Sequence, residues 1–241
     1  FNGAVSDSGG FLLGGTDLYG YVQYAGGLGG VRNIGSGPEW MQPADLSELV
    51  SGQPIYDLAV QDDSPGDIYG WFATKLGAFR MPKSLLDNSD ESPELTVAQE
   101  VLERSDFFEI SINGTKAIIT NIAVGNGASD EVYLGTPRGA VRVSDISTIG
   151  VEPDTNLSGE LIPGTEGLIV EDIAMVGSYV VVLTNHFIVY SDDNGNTFSD
   201  PIPVYAGQLG GEVTGMFVVD SAGADLAIFA GNGGVATVTL N

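Results

Sequence analysis

The sequence predicts an all-β protein made of a repeated antiparallel meander, on three observations. Gly is abundant, 35 of 241 residues, and falls between short apolar runs instead of collecting in linkers, the pattern of tight turns joining short strands. A tetrapeptide recurs: "NGAV" at Asn2, "DLAV" at Asp57, "NIAV" at Asn121, "DIAM" at Asp172 and, more loosely, "GMFV" at Gly215. The segments after each echo are also alike. A polar turn leads to an apolar run ("FLLGGT", "IYGWFAT", "VYLGT", "VVVLT", "LAIFAG"), and a second tight turn leads to another ("YGYVQYA", "GAFRM", "GAVRVSD", "FIVYSDD", "GVATVTL"). A meander repeating every 40–50 residues or so is the mark of a propeller blade. The expected fold is therefore one five-bladed β-propeller of antiparallel three- to four-stranded blades, with one or two short inserted helices.

Each element follows from local chemistry. The tetrapeptide is the expected inner strand, where a column of Ala suits a crowded axis. The two runs after it are the second and third strands, and burial of both blade faces explains apolar runs without clean alternation. "PIPVY" near Pro201 and "FFEISI" at Phe107 to Ile112 are the candidate outer strands. "PADLSELVSG", around Asp45, reads as a short helix stopped by Gly52. "SPELTVAQEVLERS" reads as a second, capped by Ser92 with Pro93 in its first turn. A single domain over residues 1–241 is expected, with approximate blades 1–52, 53–114, 115–167, 168–210 and 211–241. The last of these ends on its third strand, so either the blade has three strands or a protein partner or adjoining domain covers its edge.

Composition narrows the partners. Lys and Arg number 8 against 32 Asp and Glu, a net charge of −24, which repels nucleic-acid phosphates and anionic membrane surfaces. There is no Cys, hence no disulfide, thiolate metal site or Cys nucleophile. No apolar stretch reaches the length of a membrane span, and the opening residues do not read as a signal peptide. Phe1 rather than Met opens the sequence, which predicts a processed product or a piece of a longer chain. The balance suits a secreted, cell-envelope or virion-surface protein.

Ser191, Asp193, Gly195, Thr197 and Phe198, in "SDDNGNTF", follow the pattern Ser-x-Asp-x-Gly-x-Thr-aromatic. This resembles the Asp box of the BNR-repeat, sialidase-like propellers. The resemblance spans the repeat architecture of the chain, but the full motif occurs once; "VSDIS" at Val143 keeps only its start. In that family the Asp box is structural and lies on the rim, so the resemblance implies a fold and not an activity. "FRMP" at Phe79 to Pro82 is similar to the motif whose Arg grips the sialic acid carboxylate. Arg80, however, aligns with Arg142 in the next repeat, as an ordinary third-strand residue, and the chain has five Arg in all.

Two functional readings remain. In the first, the chain is a non-enzymatic binding or structural module recognising a glycan or a protein. Asn2, Asp57, Asn121 and Asp172 would line the axial mouth, with Tyr19, Lys75, Arg138, His186 and Asn232 on the turns around it. The alternative use of the same Asx side chains is to tie neighbouring inner strands together. In the second reading, Asp57 and Asp172, with Glu171 adjacent, are the paired carboxylates of a glycoside hydrolase. No cofactor is expected. Asp192, Asn194 and Asn196 only loosely suggest a calcium loop, lacking its Gly and distal Glu. Lone His186 has no Ser partner placed by any motif. Asn113 and Asn156 match the short glycosylation pattern.

Overall fold

A computed structural model describes residues 11–14, 19–24, 27–32, 39–41, 55–62, 68–75, 77–82, 106–112, 114–125, 131–144, 155–204, 213–219, 225–231 and 234–240. The two expected helices, at 43–52 and 92–105, lie outside these residues, as do Asn2 to Val5, Asn113 and Asn232. Among the described residues the chain is all-β, with antiparallel pairing throughout the sheets and no helix.

Two compact units divide the chain: Phe1–Ile110 with Asn126–Ala128 and Ser147–Leu157, and Ser111–Gly125 with Ser129–Ile146 and Ser158–Asn241. In the first, β1 (Phe11–Gly14), β2 (Tyr19–Tyr24), β3 (Gly27–Arg32) and β4 (Glu39–Met41) make a sheet in chain order. A second sheet runs β5 (Ile55–Asp62), β6 (Ile68–Thr74), β7 (Ala78–Pro82) and β8 (Asp106–Ile112). The short β9 (Thr115–Lys116) pairs with the end of β8.

The first repeat is out of phase with expectation. "FLLG", expected as a second strand, is the first strand of its sheet among the described residues and lies beside β5, as the first strands Asn121–Val124, Val170–Val176 and Val213–Val219 of the later sheets lie beside one another in succession. The real third strand, "GLGGVR", is too Gly-rich to read as a strand from propensity.

The other unit carries three sheets among the described residues. One is β10 (Asn121–Val124), β11 (Glu131–Thr136), β12 (Gly139–Ser144) and β14 (Glu160–Leu161). Between β12 and β14, β13 (Thr155–Ser158) departs to pair with β8 instead. The next is β15 (Val170–Val176), β16 (Tyr179–Thr184), β17 (Phe187–Ser191) and β18 (Ile202–Pro203), and the last is β19 (Val213–Val219), β20 (Asp225–Gly231) and β21 (Gly234–Leu240). These reproduce the expected strand order, with "PIPVY" supplying the outer strand β18; "FFEISI", also expected at an outer edge, forms β8 of the earlier sheet and lies between β7 and β13.

The unbroken apolar run of β16 now has a cause. Val180 and Val182 pack with Ala123, Tyr133, Val170 and Ile173, toward the β10–β14 sheet. Val181 and Leu183 face the other way, with Val213, Val218 and Leu240. All four β16 side chains are fully buried, each worth about 1.5–3 kcal/mol. A sheet sandwiched on both faces needs apolar residues at every position, which erases the period-two signal.

Candidate functional site

Three of the strands that begin a repeat carry the same irregularity at the same point of their sequence. An extra residue interrupts the register between Ile55 and Asp57, between Val170 and Asp172, and between Val213 and Gly215. Each bulge precedes the Asx column, and bulges re-aim the side chain beyond them. In β5 and β15 the re-aimed carboxylate caps the next amide: Leu58 N donates to Asp57 Oδ1 at 2.9 Å and Ile173 N to Asp172 Oδ1 at 2.8 Å. In β19 the equivalent is Gly215, whose Cβ, if present, would stand 3.9 Å from Asp172 Oδ2.

Within the second unit the column joins neighbouring sheets. Asn121 Nδ2 donates to the carbonyl of Glu171, the bulge residue of β15, at 3.0 Å. Met216 N in β19 donates to Asp172 Oδ2 at 2.7 Å. Thr120 Oγ1 donates to Asn121 Oδ1 at 2.9 Å, which fixes the amide orientation. Gly135 makes room for it, since a Cβ there would come within 2.8 Å of Asn121 Oδ1. Burial pushes the Asp172 carboxyl up to about 6, against the two backbone hydrogen bonds that favour its charged form.

The expected turn residues are partly placed. Lys75 lies exposed after β6 in the first unit, while Arg138 and His186 are exposed in the second. Tyr19, expected on a turn between second and third strands, is the first residue of β2 and pairs with Gly14, the last residue of β1. Among the described residues, the structure places Asn121, Asp172 and Glu171 together in one unit and Asp57 in the other.

A device that the sequence reading missed holds these turns. Thr74, Thr136 and Thr184, each buried at the end of a second strand, donate from Oγ1 to the carbonyl three residues on, at 2.8, 2.7 and 2.9 Å. Turn amides donate back to the same oxygens: Gly77 N at 3.2 Å, Arg138 N at 3.0 Å and Phe187 N at 2.9 Å. The signal was present in the sequence as the terminal Thr of "IYGWFAT", "VYLGT" and "VVVLT". One connector links two of these tips. Gly167 N donates to the Arg138 carbonyl at 2.9 Å, and two residues later the Ile169 carbonyl accepts from Asn185 N at 3.0 Å. Ile169 on this connector is exposed, as are Arg138 and His186 on the tips it bridges.

The turn after β17 is satisfied internally. Ser191 Oγ donates to Asp193 Oδ1 at 2.7 Å and accepts from Gly195 N at 2.8 Å. Thr197 N and Thr197 Oγ1 donate to the two Asp193 oxygens at 2.8 and 2.7 Å. These bonds, Thr197 first, hold the Asp193 carboxyl down at about 2. Asp192, the one carboxylate of the loose calcium-loop reading, is exposed on this turn, and among the described residues no group of three or more acidic or His ligands gathers.

Asn194 and Gly195 take positive φ, 58° and 79°, and their carbonyls turn toward the β10–β14 sheet. The Tyr133 hydroxyl proton is shared between Glu131 Oε2 at 2.7 Å and Asn194 O at 3.2 Å, and Arg142 donates to Gly195 O at 2.9 Å while Glu131 pairs with Arg142. Burial, then the bond to Glu131, keeps the Tyr133 hydroxyl protonated far above its usual range. Arg80 has the place expected from Arg142. It lies opposite Trp71, as Arg142 lies opposite Tyr133, and is buried with its guanidinium 5.5 Å from the Trp71 ring centroid. It is a packed strand residue.

No protein-family model and no curated protein matches the chain. Solved structures do. The extracellular domain of a one component system from B. thetaiotaomicron is similar at TM-score 0.56 and 11% identity, over 96% of this chain and 30% of that one. An exo-β-1,3-galactanase from Clostridium thermocellum is similar at 0.53 and 13% identity, over 100% and 60%. PorZ, a bacterial surface component of the type-IX secretion system of Porphyromonas gingivalis, is similar at 0.52 and 12% identity, over 100% and 25%. The neighbours include β-propeller-like extracellular domains, and at these identities the likeness is one of fold alone. The chain spans less than two thirds of each of the three.

Proposed function

We propose that the five sheets are the blades of one Asp-box β-propeller acting outside the cell as a non-enzymatic binding module for a glycan or protein partner. The observation that carries this reading is how the polar groups are used. Asn121 and Asp172 spend their hydrogen bonds on neighbouring strands, whereas Arg138 and His186 stand exposed on braced hairpin tips. Rigid hairpins offering exposed cationic and imidazole groups suit recognition. The extracellular and surface proteins among its structural neighbours support the location. The test is a glycan array and a panel of surface proteins probed with the wild type and with Arg138→Ala/His186→Ala. Binding lost without a change in melting temperature supports the reading. Binding that persists, or its absence on every probe, refutes it.

One observation favours a second reading, glycoside hydrolysis: an Asp172 carboxyl near 6 is in the range of a general acid. Release of sugar from β-1,3-galactan by the wild type, abolished in Asp57→Asn and Asp172→Asn, would establish it in place of the first.

A further inference from the structure

We propose that the outer edge of β21 receives an added β-strand from another polypeptide, an extended segment with alternating apolar residues that bears Lys or Arg and not Asp or Glu. The contrast among outer strands motivates this. β4 spans three residues between Pro38 and Pro43, and β14 and β18 span two each, with Pro163 close behind β14 and Pro203 inside β18. Shortness and proline are the usual ways of closing an edge to pairing. β21 has neither. It runs seven residues, "GVATVTL", paired along its whole length to β20, with no charge, no Pro and no strand on its other side among the described residues.

The register says which groups are open. Counting from the Gly231–Gly234 pair that closes the two-residue hairpin, alternate pairs exchange hydrogen bonds with β20, which leaves Val235, Thr237 and Thr239 with N–H and C=O directed outward. Their side chains are exposed, Val235 at 67%. The alternate residues Ala236, Val238 and Leu240 pack on the cluster shared with the β15–β18 sheet, whose Ile202 and Val204 are only partly buried. An incoming strand would continue this shelf with its own apolar residues. Charge selects the donor: two copies of a chain at −24 repel each other, so the neutral edge is completed best by a basic segment.

Amide hydrogen exchange tests this without knowing the natural partner. The probes are the peptides KVTVTVK and EVTVTVE, added to the whole chain. In the free protein the Val235, Thr237 and Thr239 amides should exchange freely, and the Lys-flanked peptide should slow them at least tenfold (about 1.4 kcal/mol), the Glu-flanked one far less. Thr237→Pro removes an amide outside the β20 ladder, so it should keep the wild-type melting curve and abolish the slowing. Should that variant misfold, the contrast between the peptides on the wild type still decides. Protection already present in the free monomer means that the chain covers its own edge, and protection that appears with dimerisation means a second copy does; either overturns the proposal. So does equal protection by both peptides, or none. The proposal is independent of the hairpin-tip reading: Arg138→Ala should leave the peptide effect unchanged, so each can fail alone.

Discussion

Asp172 and Asp193 are two carboxyls moved in opposite directions by their surroundings, and their pH dependences oppose each other. Asp193 is held at about 2, below its ordinary 3.8, so its stabilising effect is present above about pH 4 and lost as pH falls through about 2. Asp193→Ala should lower the melting temperature at neutral pH, with the deficit shrinking as pH drops through that window. Ligand binding should survive, since the turn is spent on its own amides. Asp172 is raised to about 6. Its folded form binds a proton more readily than its unfolded form, so the stability it adds is present below about pH 4 and lost as pH rises through 6. Asp172→Asn should therefore gain on the wild type between pH 4 and 6.5, whatever constant offset the lost acceptor imposes. Thermal melts of the three proteins across pH 2–8 check both predictions.

At the scale of the element, the braced hairpins invite a sharper measurement. Replacing the buried hydroxyl of Thr184 by a methyl in Thr184→Val leaves the half-buried Phe187 N–H and C=O without that oxygen partner, at a cost of about 1 kcal/mol. Thr184→Ser should recover most of it, and urea denaturation distinguishes the two. Gly195→Ala is the complementary case: φ of 79° and a Cβ that would stand 2.0 Å from Tyr133 Oη both forbid it. It should destabilise strongly, and adding Tyr133→Phe should recover part of the loss by removing the obstructing oxygen.

The strand order of the second, third and fourth repeats was legible because the Ala and Asx columns recur, and that of the fifth because two apolar runs follow its looser echo at similar spacing. The bulges were not, because the extra residues Tyr56, Glu171 and Thr214 share no chemistry; a bulge is a property of two strands in register. The first repeat slipped because its third strand holds Gly27, Gly29 and Gly30, which weaken any strand signal. The inter-strand use of Asn121 and Asp172 was legible as one of two alternatives, and only geometry could show the hydrogen bonds.

At the scale of the whole molecule, a charge of −24 sets the response to salt. Self-repulsion among exposed carboxylates is screened within a Debye length of about 10 Å at 0.1 M salt. The melting temperature should rise between about 10 mM and 500 mM NaCl, and a fall over that range would mean that attractive pairs such as Glu131–Arg142 dominate instead.

The links between sheets share one property. Asn121, Asp172, Tyr133 and Arg142 each reach a main-chain N–H or C=O of the next sheet: Glu171 O, Met216 N, Asn194 O and Gly195 O. Main-chain groups are the same whatever residue carries them. Where such a main-chain group is the partner, the side chain at that position can change without removing the hydrogen bond, provided the packing between the sheets is kept. Successive repeats are thereby released to drift apart in sequence while staying joined, and repeats as unlike as "DIAM" and "GMFV" can stand side by side.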